Sequence, residues 1–492
     1  MVEPEGRNAL RSIAVVGNNA VAWTSAAILA QSLNRHGVVV TLVAGEQTDA
    51  QPLVEVSQPA LPRLIELWQL SERELLSACS GLFSLGIKYR TPGQDGFFLP
   101  FGTHGMAPSP ASFEQTFFKL CPKGRRRQFN HYFLSTQAAL KGRFEFPVDD
   151  PRSVKSTLRY GLHLDLSRFI QYLETRAGTL GFNVARADIT AVRASAGGDR
   201  VEALDLSNGQ RIEADFYMDC SGERGRLIGE GLGIGYQSWS HWLPWDSQLS
   251  CFAAGPSDVK PYSEVSLNAD GWEKTVGLQN GRVHQYFYRE SSGFDPDAYC
   301  RKVGADPVST RPLRPGRRDQ FWAGNCLALG DAAGSATPVV LSELHWATKS
   351  LLLWLELYPH RDNQEALQRE YNRRCGEILD GFRDFHVAHT LAGAGPDALT
   401  QGPESLAWKL SLFTGQGRLW LNDEEPVPQE TWVALLLGLG IEPDRYDVVL
   451  DGVDEAVLRN THEKIYRKLA QESERMPSLE EVVARYCPAP KQ

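Results

Sequence analysis

Ile13, Val15 and Val16 form a short apolar run that stops at Gly17. A run of that length closed by glycine predicts a buried strand. The next stretch, AWTSAAILAQSLNRHG, changes period. Small and apolar residues recur at helical spacing, and Gly37 supplies a stop. VVVTLVAG then reads as a second strand. Strand, helix and strand in this order make a β-α-β unit, the usual opening of a doubly wound nucleotide fold.

The pattern then loses its steady period. Residues 60–150 mix Phe, Pro, Gly and His and read as an inserted, substrate-facing region. LSRFIQYLETRAGTLG (166–181) predicts an amphipathic helix with a glycine stop. Short alternating runs follow, broken by a Gly-Gly turn and an Asn208-Gly209 hairpin signal, so a small antiparallel piece is expected. It returns to a core strand ending in Asp219-Cys220-Ser221-Gly222. Residues 241–310 read as strands. FWAGNCLALGDAAGSATPV (321–339) reads as a strand, a tight turn and a helix start. Residues 341–420 read as mostly helical. The expected fold class is mixed α/β. A Rossmann-like nucleotide domain is built from residues 8–50, 155–240 and 311–360. A largely helical substrate domain, residues 51–154, 241–310 and 361–492, is woven between those segments.

Composition narrows the function. The chain has 492 residues, 42% hydrophobic and 23% charged, with a net charge of −9. An acidic balance argues against a general nucleic-acid binder. The one basic run, Lys123 with Arg125, Arg126 and Arg127, is short and reads as a solvated loop or helix start. No stretch reaches the ~18 apolar residues of a membrane helix. MVEPEGRNAL lacks the apolar core of a secretory signal. The eight cysteines are scattered with no CxxC pair, so a reducing cytoplasm is the expected compartment.

The first turn carries the candidate cofactor chemistry. In a dinucleotide turn the first glycine makes the bend, the second admits the phosphate and the third lets helix and strand pack. Here those positions are Gly17, Asn19 and Ala22, with Ala20 at the helix start. The Asn19 amide is expected to occupy space near the phosphate or to hydrogen-bond to it. An acidic residue should end the second strand; Ala44 stands there, and Glu46 comes two residues late. Gly330 and Asp331 in LALGDAAG supply the second nucleotide corner, after a strand and before a helix.

Several stretches together resemble the flavin-dependent tryptophan halogenase family. They are VVGNNAVAW, FSLGIKYR, YGLHLDLSRF, DFYMDCSGERGRLIG, FWAGNCLALGDAAG, DGFRDFHVAH and ETWVALLLGLGIEPDRYD, in order over roughly residues 11–460. The resemblance implies a fold of the flavin monooxygenase type and FAD, reduced by a separate flavin reductase. It implies a small aromatic or indole-like substrate and a chain that often pairs as a homodimer. In that family reduced flavin, oxygen and chloride give hypohalous acid. A tunnel leads it to a lysine beside the substrate, and a glutamate assists the substitution.

This chain departs from that pattern where the chemistry lies. The family's FKxxIKF stretch aligns with Phe83-Ser84-Leu85-Gly86-Ile87-Lys88-Tyr89, so Ser84 stands at the catalytic lysine. A serine hydroxyl cannot form a chloramine. The DPLESTGI stretch aligns with Thr337-Pro338-Val339-Val340-Leu341-Ser342-Glu343-Leu344, so Val340 stands at the catalytic glutamate. Glu343 falls in the turn that holds chloride, where a carboxylate repels an anion. Leu344 falls against the flavin. The WxWxIP barrier appears as Trp272-Glu273-Lys274-Thr275-Val276-Gly277, and the GES stretch as Val54-Glu55-Val56.

Other features take plainer readings. His386 and His389 form HxxH on a helix with no third ligand near, which favours packing over metal. His163 and Asp165 are read as structural, and Cys220 as a small buried residue. Trp346, Trp354 and Leu351 to Leu353 read as helix packing. Glu343 and His345 are the candidates for an acid or base beside the flavin. Three readings follow. The first is a flavin-dependent oxidoreductase that oxygenates or otherwise oxidises an aromatic without halogenating it. The second is a non-catalytic relative that has lost FAD and binds a small molecule or a partner protein. The third is a halogenase with relocated catalytic groups.

Overall fold

The computed structural model describes residues 10–490 apart from 47–52, 60, 63–64, 66–67, 69, 91–95, 106–110, 256–258, 269, 338, 360–364 and 393–400. Pro338 of the stretch aligned with DPLESTGI thus lies outside the described residues. In chain order, the elements that build the cavities are β1 (Ser12–Val16), α1 (Ala20–Leu33), β2 (Val39–Val43), β3 (Val54–Val56), β4 (Leu82–Ser84), β5 (Gly86–Arg90) and β6 (Gly161–Asp165). They continue with α2 (Leu166–Glu174), β7 (Phe216–Asp219), β8 (Gly271–Leu278), β9 (Asp306–Pro312), β10 (Cys326–Ala328), α3 (Glu343–Glu356) and α4 (Glu365–Ala392).

The opening β-α-β unit forms as the periodicity predicts. β1 lies between β2 and β7, parallel to both, in a six-stranded sheet. β10 pairs parallel with β7, Trp322–Ala323 closes that edge antiparallel, and Asn183–Ala185 closes the other. Parallel strands must be covered on both faces, which explains why β1 and α1 are almost wholly buried. Gly17 ends β1 at φ 142°, and a Cβ there would meet the Cys220 carbonyl oxygen at 2.4 Å. The glycine is therefore required by the neighbouring chain as well as by the bend.

A seven-stranded sheet stands against this unit. Its order is β9, Ser247–Ala254, Gly281–Tyr288, β8, Ser263–Asn268, β5 and Phe98–Pro100. A third, small sheet sets β6 between β3 and β4. It fixes two residues that matter below: Glu55 opposite Leu164 and Ser84 opposite Gly161. The expected antiparallel piece forms from Ile189–Ala194, Val201–Leu206 and Arg211–Ile212.

Two expectations change, at Asp331 and at the basic run, and the pair His163 and Asp165 takes a structural place. Asp331 does not precede a helix directly: Gly330–Ala332 is one 3₁₀ turn, and the helix starts only at Glu343. Thr337, between them, has φ 52°, a strained conformation for a β-branched residue. His163 and Asp165 lie on a strand, and Asp165 turns to cap α2 by accepting the Arg168 N–H at 3.1 Å. The basic run is not wholly solvated. Arg126 is buried and donates to the carbonyls of Cys121, Pro443 and Phe118. Among the described residues no helix is long and apolar enough to cross a membrane.

Candidate functional site

Two cavities meet in the middle of the molecule. The first is a cleft of about 360 Å³ along the β1–α1 corner. It runs past Gly17, Asn18, Asn19, Ala20 and Val21, then Glu46 and Asp188 at one end. At the other end it reaches Glu55, Gln248, Lys274, Gln285, Arg311, Asp331, Glu343 and Leu344. The second cavity, about 590 Å³, is lined mainly by apolar side chains that include Ile87, Leu99, Val340, Leu341, Leu352, Phe385 and Val427. Glu55 and Leu344 line both. Both volumes fall within the ~300–1,000 Å³ typical of small-molecule sites.

The corner of the cleft is built locally. Asn19 caps α1: its Oδ1 accepts the Ala22 N–H at 2.9 Å, and its Nδ2 donates to the Cys220 carbonyl at 2.7 Å. The amide thus neither fills the phosphate space nor points at a phosphate, as the sequence suggested. It ties the helix start to the end of β7. Asn18 is held the same way, donating to the Gly45 carbonyl and accepting from the Trp23 indole. Ala22 and Gly330 do not line the cleft; they pack beneath it. Asp188 lies beside the end of β2, lines the cleft and accepts the Glu46 N–H at 2.7 Å. Cys220 is buried beside Asp219, and its thiol is pushed well above the usual range by that burial and that charge.

The far end of the cleft concentrates charge. Arg311 pairs with Asp331 at 3.2 Å and donates to Gln248 at 2.9 Å, while its Nη2 has no hydrogen-bond partner. Glu343 reaches back over the Gly330 turn and accepts the Asp331 N–H at 2.7 Å. A Cβ on Gly330, whose φ is 64°, would meet that carboxyl at 2.4 Å. Burial first, then the Asp331 charge, push Glu343 up to about 8. It is therefore protonated at neutral pH. Its carboxyl lies over the Gly330 turn and lines this end of the cleft.

Glu55 stands on β3 between Val54 and Val56. Those valines pack on Val276 and Leu278 of β8, so strand alternation turns the carboxyl to the other face, toward the cavities. Burial pushes Glu55 up to about 7; a hydrogen bond from Ser342 and the nearby Lys274 oppose that rise. Lys274 is pushed down to about 8 by burial, with Glu55 opposing. Lys274 occupies the second tryptophan position of the aligned barrier stretch. The signal for it was present in the sequence: Trp272, Lys274, Val276 and Leu278 alternate on one strand face, and only one of them is charged.

The structure separates other sequence candidates. Ser84 is fully buried, donates to the Gly86 carbonyl at 3.3 Å and lines neither cavity. Val340 lines the apolar cavity. Glu343 and His345 lie within one turn of α3 but face different cavities. Burial and then Lys349 hold the His345 ring down near 4, so it is neutral. Lys349 spends its ammonium on the Glu424 and Glu425 carbonyls. His386 and His389 each donate back along α4, to the carbonyls of Phe382 and Phe385. His386 also accepts the Leu341 N–H. Trp346 and Trp354 pack as expected, but Leu352 reaches the rim of the apolar cavity. Glu55, Lys274, Arg311 and Asp188 are among the cavity residues that sequence reasoning did not single out.

Comparison with known proteins agrees with this architecture. A family model described as tryptophan halogenase matches residues 12–455. Tryptophan 6-halogenase SttH of Streptomyces toxytricini is 23% identical over 481 residues, covering 87% of this chain and 89% of its own. Tryptophan 7-halogenase RebH of Lentzea aerocolonigenes is 23% identical over 415 residues, covering 77% and 75%. Among solved structures, BrvH, a flavin-dependent halogenase from Brevundimonas sp. BAL3, superposes with a TM-score of 0.89 at 26% identity, covering 98% of this chain and 100% of that one. Xcc4156, a flavin-dependent halogenase from Xanthomonas campestris, also gives 0.89, at 25% identity, covering 98% and 99%.

Proposed function

The chain belongs to the tryptophan halogenase family, and we propose that within it this protein is an FAD-dependent oxidoreductase that oxidises an aromatic substrate without halogenating it. The observation that carries the reading is the joining of a charged nucleotide cleft to an apolar cavity at Glu55 and Leu344. Such a pair suits a cofactor on one side and a flat aromatic on the other.

The cleft residues fit FAD. The start of α1 at Ala20 and Val21 faces the cleft with its positive dipole end, suited to a pyrophosphate. Asp188 and Glu46 suit ribose hydroxyls, and Asp331 suits the sugar-alcohol chain. The unpartnered Nη2 of Arg311 is a buried donor suited to an anionic or carbonyl oxygen. Leu344 offers an apolar wall. Bound FAD, reduced by a separate reductase, supplies electrons for oxygen chemistry. The protein's own residues shape that chemistry: the apolar cavity orients the ring and keeps water from it, and Ser342 and Lys274 hold the Glu55 carboxyl in place.

Loss of halogenation rests on three positions. Ser84 has no amine and lies outside both cavities. Val340 offers no carboxylate. The Glu343 side chain lies over the Gly330 turn beside the aligned halide turn. The domain division proposed here keeps residues 8–50, 155–240 and 311–360 as the nucleotide unit, with the rest around the apolar cavity. Purified protein titrated with FAD should quench flavin fluorescence and gain thermal stability. Product should form with reduced FAD and an indole or phenol when chloride and bromide are both omitted.

A second reading, a binding protein without flavin turnover, draws on two contacts. Asn19 takes one N–H of the helix start, and Glu343 takes the Asp331 N–H. It requires that FAD give neither quenching nor a shift in Tm, while an aromatic still binds.

A further inference from the structure

Glu55 is the only ionisable side chain among the described residues that lines both cavities. It is 5% exposed, and its Oε1 has no hydrogen-bond partner. Its other hydrogen-bonding capacity is directed to Ser342, whose Oγ also accepts the His345 N–H at 3.2 Å. A buried carboxyl oxygen left unpaired costs free energy of the order of a lost hydrogen bond unless something donates to it. The junction is the place where a bound ring would supply that donor.

The neighbouring acids are otherwise engaged. Asp331 is paired with Arg311, and Glu343 accepts from the Asp331 backbone and lines only the cofactor cleft. The charged groups facing Glu55 are Lys274 on β8 and Glu343 on α3. Val340, at the aligned carboxylate position, lines the same apolar cavity as Glu55. The cavity thus keeps one carboxyl, but it enters from β3 rather than from the chain before α3.

We propose that Glu55 is the proton-transfer residue of the substrate cavity and selects aromatics that carry an acidic O–H or N–H. This rests on reading the apolar cavity as the substrate site. In the step, the substrate's O–H or N–H bond breaks heterolytically. Its electron pair stays on the heteroatom and enriches the ring, and the proton bonds to Oε1 of Glu55. No electrons leave the pair of partners, and the proton returns when product is released. The Ser342 hydroxyl and the Lys274 ammonium hold the carboxylate in position before the transfer. Burial places Glu55 near 7, which suits a group that must both take and return a proton at neutral pH.

The test uses the full-length protein without added flavin, with 4-nitrophenol and nitrobenzene as probes. Glu55→Gln keeps the size and removes the base. Wild type should bind 4-nitrophenol about tenfold more tightly than nitrobenzene and shift its absorption to the red, as a donated phenolic proton does. E55Q should keep the wild-type urea midpoint, which shows that the fold is intact, and lose both the preference for 4-nitrophenol over nitrobenzene and the shift. The proposal is overturned if E55Q keeps the wild-type preference and spectrum, or if wild type binds neither probe. A parallel FAD titration of wild type reports separately on the flavin reading. If FAD fails to bind while 4-nitrophenol behaves as described, that reading falls and the role of Glu55 stands.

Discussion

The two cavities that share Glu55 are built on opposite terms. The Arg311 end of the first cleft gathers Glu55, Asp331 and Glu343 against Lys274 and Arg311, so there the acids outnumber the bases unless one carboxyl holds a proton. Glu343, pushed up to about 8, is the one that does. The second cavity is mostly apolar, and the histidine that lines it, His345, is held down near 4 by burial and then Lys349. Elsewhere in the interior, burial holds His163 and His386 near 4 and His389 near 3. One region stores a proton it would rather keep; the other excludes protons it would otherwise take. Charge can be buried in the first because partners cancel it. In the second the histidine is kept uncharged, and the cations Arg159 and Lys349 are turned onto backbone carbonyls.

Acid should separate the two regions most strongly. A histidine whose folded pKa lies below its unfolded value costs stability as pH falls through about 6.5. At pH 5, each of His163, His386 and His389 should cost about 2 kcal/mol. Glu343 acts with the opposite sign. Its folded pKa is raised, so its contribution is fully present below the ordinary carboxylate range and is lost as pH rises toward 8. Glu55, raised to about 7, acts with the same sign as Glu343, so urea melts across pH 5–8 should show an acid-side loss set by the histidines and a separate loss toward pH 8 set by the two carboxyls. His386→Gln should reduce the acid-side loss, because that side chain has no proton to gain. An unchanged acid limb in H386Q would break the contrast.

Ser84→Lys comes next in size. An ammonium at a fully buried site beside Phe83 and the Gly86 carbonyl should destabilise by about 3–5 kcal/mol, measured by urea midpoint. It should not restore halogenation, since neither cavity reaches that position. Glu343→Gly tests the crowded end of the cleft. It frees the Asp331 N–H and the space over Gly330, and should tighten FAD about tenfold in a fluorescence titration, the worth of one regained hydrogen bond to a charged group. A weaker Kd would mean that Glu343 supports the cofactor rather than displacing it. Val340→Ala should have the smallest effect. About 1 kcal/mol of stability should be lost for the deleted methyls, with bulkier rings accepted in the enlarged apolar cavity.

The parts legible in the sequence are those set by local periodicity. β1, α1 and β2 follow from the apolar pattern, and Gly17 from the bend it must make. At Ser84 the flanking Phe83 and Ile87-Lys88-Tyr89 fix the register of the aligned stretch. What was not legible depended on contacts between distant segments. Asp188 meets Glu46 across 142 residues of chain, so no pattern near β2 could reveal it. The direction of the Asn19 amide depends on the Cys220 carbonyl, which β7 brings beside β1. Glu343 read as a charge because the sequence cannot show that burial and Asp331 protonate it. Glu55 looked like a worn remnant of a motif until β3 was seen to aim it at the wall between two cavities. Lys274 is the exception, since its place in an otherwise apolar strand face could have been read directly.

The central proposal is that this chain joins a cofactor cleft to an apolar substrate cavity and oxidises without halogenating. The most direct measurement is the product mass with reduced FAD, oxygen and a panel of indoles and phenols, with and without chloride or bromide. The account predicts an oxidised product whose yield does not depend on halide. A product that carries halogen, and that disappears when halide is removed, would contradict it.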